Sequence, residues 1–174
     1  MSKIRKADFR DAGQLARVAE QTFRDAFAAQ NAAEDMDMHC RSSYGVTIQA
    51  SEIFASNMVT LVAEEAGRMI GYAQVRWDRH PACVEAASPG EIQRIYVEQA
   101  WHGRGVAQDL MHACLAEIER RGSDVAWLGV WERNPRAISF YRKLGFVEVG
   151  DHVFPLGRDP QRDIVMARTI VPVG

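Results

Sequence analysis

Residues His102 to Ala107 read His-Gly-Arg-Gly-Val-Ala, between an apolar run from Glu91 to Val97 and an amphipathic run that begins at Val106. A strand followed by a glycine-bearing turn that opens into a helix makes an anion site. The N–H groups of His102, Gly103, Arg104, Gly105, Val106 and Ala107 have no carbonyl partner inside the helix, and the helix dipole adds partial positive charge there. Gly103 and Gly105 remove side chains that would hold an anion off the backbone, and Arg104 adds a formal charge and a bidentate fork. A phosphate suits these donors. Two familiar phosphate loops do not fit, because Gly103-Arg104-Gly105 runs on to Gln108 and no Lys-Ser or Lys-Thr follows the turn. Taken alone, a Gly-Arg-Gly turn serves equally well as a plain strand-to-helix connection, so the rest of the chain has to decide.

The chain has 174 residues, 47% hydrophobic and 25% charged, which suits a single domain over 1–174 with a sizeable core. A formal net charge of −2 argues against nucleic acid as a partner, since binding to a phosphate backbone needs clustered positive charge. Cys40, Cys83 and Cys114 are odd in number and widely spaced. They indicate neither a disulfide framework nor a zinc site, and no metal is expected. The N-terminus, Met-Ser-Lys-Ile-Arg-Lys, is charged and no long apolar run occurs, so the expectation is a cytoplasmic protein with reduced thiols and no membrane span.

The flanking elements follow from periodicity and punctuation. Ile4 to Lys6 forms a short strand, and Asp11 with Gln14 resembles a helix start. Leu15, Val18, Ala19, Thr22, Phe23, Ala26 and Phe27 then recur at helical spacing. An acidic helix ends near Tyr44-Gly45, and a short helix spans Thr47 to Ala55. Met58 to Glu65 and Arg68 to Trp77 read as a hairpin about Ala66-Gly67, and Asp78 to Pro89 as a loop. The helix from Val106 ends at Arg120-Arg121-Gly122. The next strand, Val125 to Trp131, lies a crossover away from Glu91–Val97 and is therefore expected to run parallel to it. Asn134-Pro135 caps and starts a helix that Gly145 stops. Phe146 to Phe154 and Ile164 to Thr169 complete the sheet as an antiparallel pair across a loop from Pro155 to Gln161.

This order of elements, with a Gly-x-Gly/Ala turn and then Asn134-x-x-Ala137-x-x-Phe140-Tyr141-x-x-x-Gly145-Phe146, resembles the GCN5-related N-acetyltransferase (GNAT) superfamily over nearly the full length. The segment Trp127 to Asn134, the tail residues Gly150, His152, Phe154, Gly157, Gln161, Asp163, Ile164 and Met166, and the N-terminal Thr22-Phe23-Arg24-Asp25-Ala26-Phe27 are further similar to bacterial Pai-type spermidine/spermine N-acetyltransferases. The resemblance implies an α/β (α+β) three-layer fold, with a mixed central sheet, a parallel strand pair at the acetyl-CoA site and helices on both faces. His102 departs from the Gln or Arg usual at the first position of the pyrophosphate motif.

What the resemblance implies chemically is direct acetyl transfer from acetyl-CoA, as co-substrate, to a primary amine. An alkyl ammonium with a pKa near 10.4 costs roughly 4.6 kcal/mol to deprotonate at pH 7, so a base is needed. Glu91 matches the strand position of the superfamily's catalytic Glu. Period-two alternation puts it on one face with Gln93, Ile95 and Val97 unless a bulge intervenes. The resemblance further implies that Ile95, Tyr96 and Val97 hold the pantetheine arm by strand-like hydrogen bonds, and that the Val97 N–H stabilises the developing oxyanion. His102, Gly103, Arg104, Gly105, Val106 and Ala107 cradle the pyrophosphate, Asn134 contacts the pantetheine, and Tyr141 protonates the leaving thiolate. Tyr141 by itself reads equally as a core aromatic, and Glu91 as a carboxylate at a strand start. Asp25, Glu34, Asp35 and Asp37 form an anionic wall for a polyamine, although charge runs of this kind also occur on solvated helix faces. His39, His80, His112 and His152 read as ordinary surface or sheet residues. The alternatives are acetylation of another amine, such as a protein N-terminus, lysine, amino acid or drug, or a non-catalytic acyl-CoA-binding module. A homodimer is compatible with any of these.

Overall fold

Alternating and continuous apolar runs give this chain seven strands. In the computed structural model, which describes residues 2–171, they form one sheet. Met1 and residues 172–174, which belong to the expected 1–174 domain and the charged N-terminal run, lie outside the described residues. The strands are β1 (Lys3–Lys6), β2 (Met58–Glu65), β3 (Arg68–Arg76), β4 (Pro89–Val97), β5 (Val125–Trp131), β6 (Val147–Leu156) and β7 (Asp159–Thr169). Their order is β1-β2-β3-β4-β5-β7-β6. Every neighbouring pair is antiparallel except β4 and β5, which are parallel. The helices are α1 (Ala12–Phe27), α2 (Ala33–Ser43), α3 (Val46–Phe54), α4 (Val106–Arg120) and α5 (Pro135–Lys143).

Each face of the sheet is covered by its own core. On one side, α4 buries Val106, Leu110, Met111, Cys114 and Ile118, and α5 buries Ile138, against Ile70, Ala73, Ile92, Leu128 and Val130 of the sheet. On the other, Leu15, Val18, Ala19 and Phe23 of α1 and Met36 and Cys40 of α2 pack on Val62, Met69 and Tyr72. The result is the mixed three-layer α/β fold. Among the described residues no helix is long and apolar enough to cross a membrane, and no group of three or more His, Cys, Asp or Glu is placed to hold a metal ion.

Local signals explain most boundaries. Ala66 and Gly67 take φ of 50° and 76°, the paired positive values of a tight I′ hairpin turn. Asn134 Oδ1 accepts from Ala137 N–H at 3.2 Å at the start of α5, and Gly145 follows it with φ of 87°. The first helix begins differently from the sequence expectation. Asp8 is the capping residue: its carboxylate accepts from Arg10 N–H, and its own N–H donates to Asp11 at 2.8 Å. Gln14 instead accepts from Met69 N–H on β3 at 2.6 Å, tying α1 to the sheet.

The β6–β7 connection also differs. The strands continue through the segment read as a loop, with Pro155 opposite Pro160 and Leu156 opposite Asp159, leaving only Gly157 and Arg158 as the turn. Gly157 has φ of 58°, the positive value that a type II′ turn needs at its first central position. Two prolines are tolerated because β6 is the sheet edge and Pro160 stands at the start of its strand.

Candidate active site

The parallel pair is short. β4 and β5 are in register only at Pro89–Val125, Gly90–Ala126 and Glu91–Trp127, yet β4 stays paired with β3 to Val97 and β5 with β7 to Trp131. Beyond Glu91 and Trp127 the two strands therefore splay, and a cleft of about 850 Å³ opens between them.

Backbone groups line that opening in a predictable order. Glu98 N–H donates to Ile70 O at 2.9 Å, and hydrogen-bonded and non-hydrogen-bonded pairs alternate along an antiparallel ladder. Val97, opposite Gly71, and Ile95, opposite Ala73, therefore direct their N–H and C=O groups away from β3 and into the cleft. Tyr96 lies between them and directs its backbone to β3. The expectation that all three backbones face the cleft is thus corrected to two, and Tyr96 contributes its ring, packed against Phe23, Phe27 and Tyr72. By the same argument from Glu132 N–H to Arg162 O, Gly129 and Trp131 direct their backbones into the cleft from β5.

The glycine turn closes one end. Gly103 and Gly105 take φ of 75° and 84°, and the space where each Cβ would stand is empty to 4 Å. Helix α4 has no side-chain cap. Its first internal bond is Asp109 N–H to Gly105 O, so the N–H groups of Val106, Ala107 and Gln108 precede the ladder. This open, donor-rich cradle fits a phosphate-bearing ligand. His102 is used internally: Nε2 lies 2.8 Å from Val97 O, and since a carbonyl only accepts, Nε2 carries the hydrogen. Nδ1 then accepts from Arg136 at 3.3 Å. Arg104 stacks over the Trp101 ring at 5.0 Å and does not line the cleft. Arg136, passed over in the sequence, supplies a guanidinium to the cleft. Asn134, which caps α5, and Tyr141 within α5 line the same cleft. Tyr141 is half-buried, and burial raises its phenol above the ordinary value, keeping it protonated.

Residues 19–146 match the acetyltransferase (GNAT) family. The chain belongs to the GNAT family. An uncharacterised N-acetyltransferase of Mycobacterium bovis is 33% identical over 162 residues, covering 92% of this chain and 99% of that relative. The crystal structure of the PaiA N-acetyltransferase from Thermoplasma acidophilum, in complex with coenzyme A, superposes with a TM-score of 0.80 at 21% identity, over 98% of this chain and 99% of the other. The structure of yncA from Salmonella typhimurium with its cofactor acetyl-CoA superposes with a TM-score of 0.69 at 21% identity, over 100% and 96% of the two chains.

The other half of the GNAT cleft is where the structure departs most from the sequence expectations. A bulge in β4, where Gln74 and Val75 pair with Arg94 and Ile92, leaves Gln93 without a partner. Ile92, Ile95 and Val97 consequently face the α4 core, whereas Arg94 and Tyr96 face α1 and α3. Glu91 shares this second side, not that of Ile95 and Val97. It is buried and gripped by Nε and Nη2 of Arg76, and burial raises its carboxyl while Arg76 opposes the shift.

Of the four acidic residues, Asp25 lines the cleft, with Oδ1 accepting from Gln21 at 2.8 Å. The structure does not bring the other three to it. Glu34 accepts from Arg158 Nη2 at 2.6 Å, Asp35 from Arg158 N–H at 3.0 Å, and Asp37 from Arg24 at 2.9 Å. They anchor α2 to the β6–β7 turn and to α1.

Two of the four histidines set aside are not ordinary surface or sheet residues. His39 is packed among Phe23, Tyr44 and Phe154. His152 lines the cleft beside Asp163. The signal for His152 lay in the hairpin: a two-residue turn at Gly157-Arg158 pairs Leu156 with Asp159 and, counting outward, His152 with Asp163.

Proposed function

We propose that this GNAT chain transfers an acetyl group from acetyl-CoA directly to a primary amine, and that the amine belongs to a polyamine such as spermidine or spermine. The observation that carries the reaction class is the splay of β4 from β5. It leaves the backbone donors and acceptors of Ile95 and Val97 without strand partners, next to an uncapped, glycine-opened helix. Acetyl-CoA supplies the acetyl group as a thioester, with a pyrophosphate for the Gly103–Ala107 turn and a pantetheine arm that can add to the β4 edge as a strand would. Asn134 lines the same cleft. The Val97 N–H, directed into the cleft by the β3 register, is the donor for the charge that develops on the carbonyl oxygen. Tyr141, held protonated by burial, gives its proton to the departing sulfur.

The polyamine reading draws on the acceptor end. Phe27, Tyr96, Trp131 and Phe154 line it with aromatic surface suited to methylene chains and cations, and Asp25 and Asp163 add carboxylates. The engagement of Glu34, Asp35 and Asp37 by arginines favours a second reading, an amine with a single cationic end. A competition assay following CoA thiol release decides between them. Spermidine and spermine should outcompete lysine, amino-acid, peptide N-terminal and aminoglycoside acceptors. Equal turnover across the panel, or none on polyamines, removes the polyamine. Tight CoA binding with no thiol release on any amine removes the enzyme.

A further inference from the structure

The β6–β7 hairpin places His152 directly opposite Asp163, and β7 places Asp163 opposite Trp131 of β5. The two polar side chains meet over Gly129. His152 Nε2 lies 3.8 Å from Asp163 Oδ2, and a Cβ at position 129 would stand 2.7 Å from the first and 3.1 Å from the second. A side chain there would clash with both. Glycine lets the pair lie against the strand at the cleft wall, and residue 129 is exposed in the middle of a strand whose neighbours Leu128 and Val130 are buried. The pair lies within the splay, two residues beyond the last β4–β5 pair.

A separation of 3.8 Å is too long for a direct hydrogen bond, but two acceptors so spaced can both reach one nitrogen at about 2.9 Å. An alkyl ammonium has the donors for both, one to the carboxylate and one to a neutral imidazole nitrogen. Glu91 is placed differently: its carboxylate already has a cation, Arg76, on it.

We propose that His152 is the group that takes the proton from the acceptor ammonium, with Asp163 holding that ammonium and orienting the imidazole, while Glu91 serves as the partner of Arg76. This deepens the N-acetyltransferase reading and rests on it. One ammonium N–H bond breaks and its proton passes to His152 Nε2. The freed lone pair forms the N–C bond to the thioester carbonyl carbon, the C–S bond breaks, and the sulfur takes the Tyr141 proton. The second N–H proton, released as the amide forms, restores the phenol, so the net product is one proton delivered to solvent through His152. Asp163 on β7, Glu91 on β4 and Asp151 on the same strand all favour the imidazolium and outweigh burial, and the Trp127 ring packs edge-on at 6.1 Å. The three carboxylates, Asp163 first, raise His152 above the ordinary histidine value.

The test is the pH dependence of kcat/KM for spermidine acetylation in the wild type, His152→Gln, Glu91→Gln and Asp163→Asn, with acetyl-CoA affinity measured by calorimetry. The wild type should rise to a plateau through a midpoint above about 6.5. His152→Gln should lose that rise and about 10²- to 10⁴-fold of rate with acetyl-CoA affinity retained. Glu91→Gln should keep the rise, and Asp163→Asn should move it to lower pH. A rise that survives in His152→Gln, or one lost only in Glu91→Gln, overturns the assignment. If His152→Gln loses acetyl-CoA binding, Asp163→Asn carries the decision, and an unmoved midpoint overturns the assignment. A wild type that acetylates no amine overturns the acetyltransferase reading instead, which is a distinct result.

Discussion

Gly71 faces Val97 with no room for a side chain: a Cβ on residue 71 would stand 2.9 Å from Tyr96 O and 3.2 Å from Val97 Cγ2. This close approach of β3 to β4 fixes the direction of the Val97 N–H at the end of the cleft. Gly71→Ala should destabilise the protein by about 1–3 kcal/mol through overpacking. It should also lower kcat toward the roughly 10²-fold loss seen when one oxyanion donor is removed. Thermal melts and saturation kinetics measure the two effects, and a lowered melting point with unchanged kcat would take Val97 out of the chemistry.

Tyr141→Phe keeps the ring contacts with Phe140 and Phe146 and removes the hydroxyl. Turnover should fall by roughly 10²-fold, with acetyl-CoA affinity within about twofold. Thiol-release kinetics beside a binding titration separate the two. Equal turnover would make the residue a packing aromatic.

The acidic residues divide by position. Asp25→Asn should raise KM for a polyamine by about tenfold, the scale of one lost charge-assisted contact. Glu34→Gln and Asp37→Asn should leave KM unchanged, because those carboxylates face Arg158 and Arg24. Steady-state kinetics on the three variants test the distinction, and a KM that rises in all three would restore the four-residue wall.

His39 gives stability a pH dependence. Burial, with the Arg94 charge a second cause, lowers its pKa to about 4, below the ordinary unfolded value of about 6.5. Between those values the unfolded chain binds the additional proton, so stability falls as pH drops from about 6.5 to about 4 and levels below. Because the ring is only partly buried, solvent screening reduces the contribution to about 1 kcal/mol. His39→Leu should flatten this part of the curve in denaturant titrations at pH 7 and pH 4.5, and a curve parallel to the wild type would count against it.

Features set by near neighbours in sequence were legible. The helix about Phe140 and Tyr141 declares itself through Asn134, Pro135 and Gly145, and the turn at Gly103–Gly105 through its two glycines. What escaped depended on register. Nothing local announces the Gln93 bulge, and that one residue puts Glu91 on the side opposite Ile95 and Val97. Pro155 and Pro160 hid a two-residue turn, and with it the meeting of His152 and Asp163. The acidic run on α2 looked the same whether solvated, lining a site or paired, because Arg158 lies more than a hundred residues away in the chain.

The three-residue register between β4 and β5 also bears on how the molecule holds together. Across that seam the sheet is two smaller sheets, β1-β2-β3-β4 and β5-β7-β6, fastened at one end. A ligand lying along the β4 edge would lengthen the seam, and by mass action one present at 100 times its Kd adds about 2.7 kcal/mol to the folded state. The working stability of this chain is then set partly by how much of its donor is at hand.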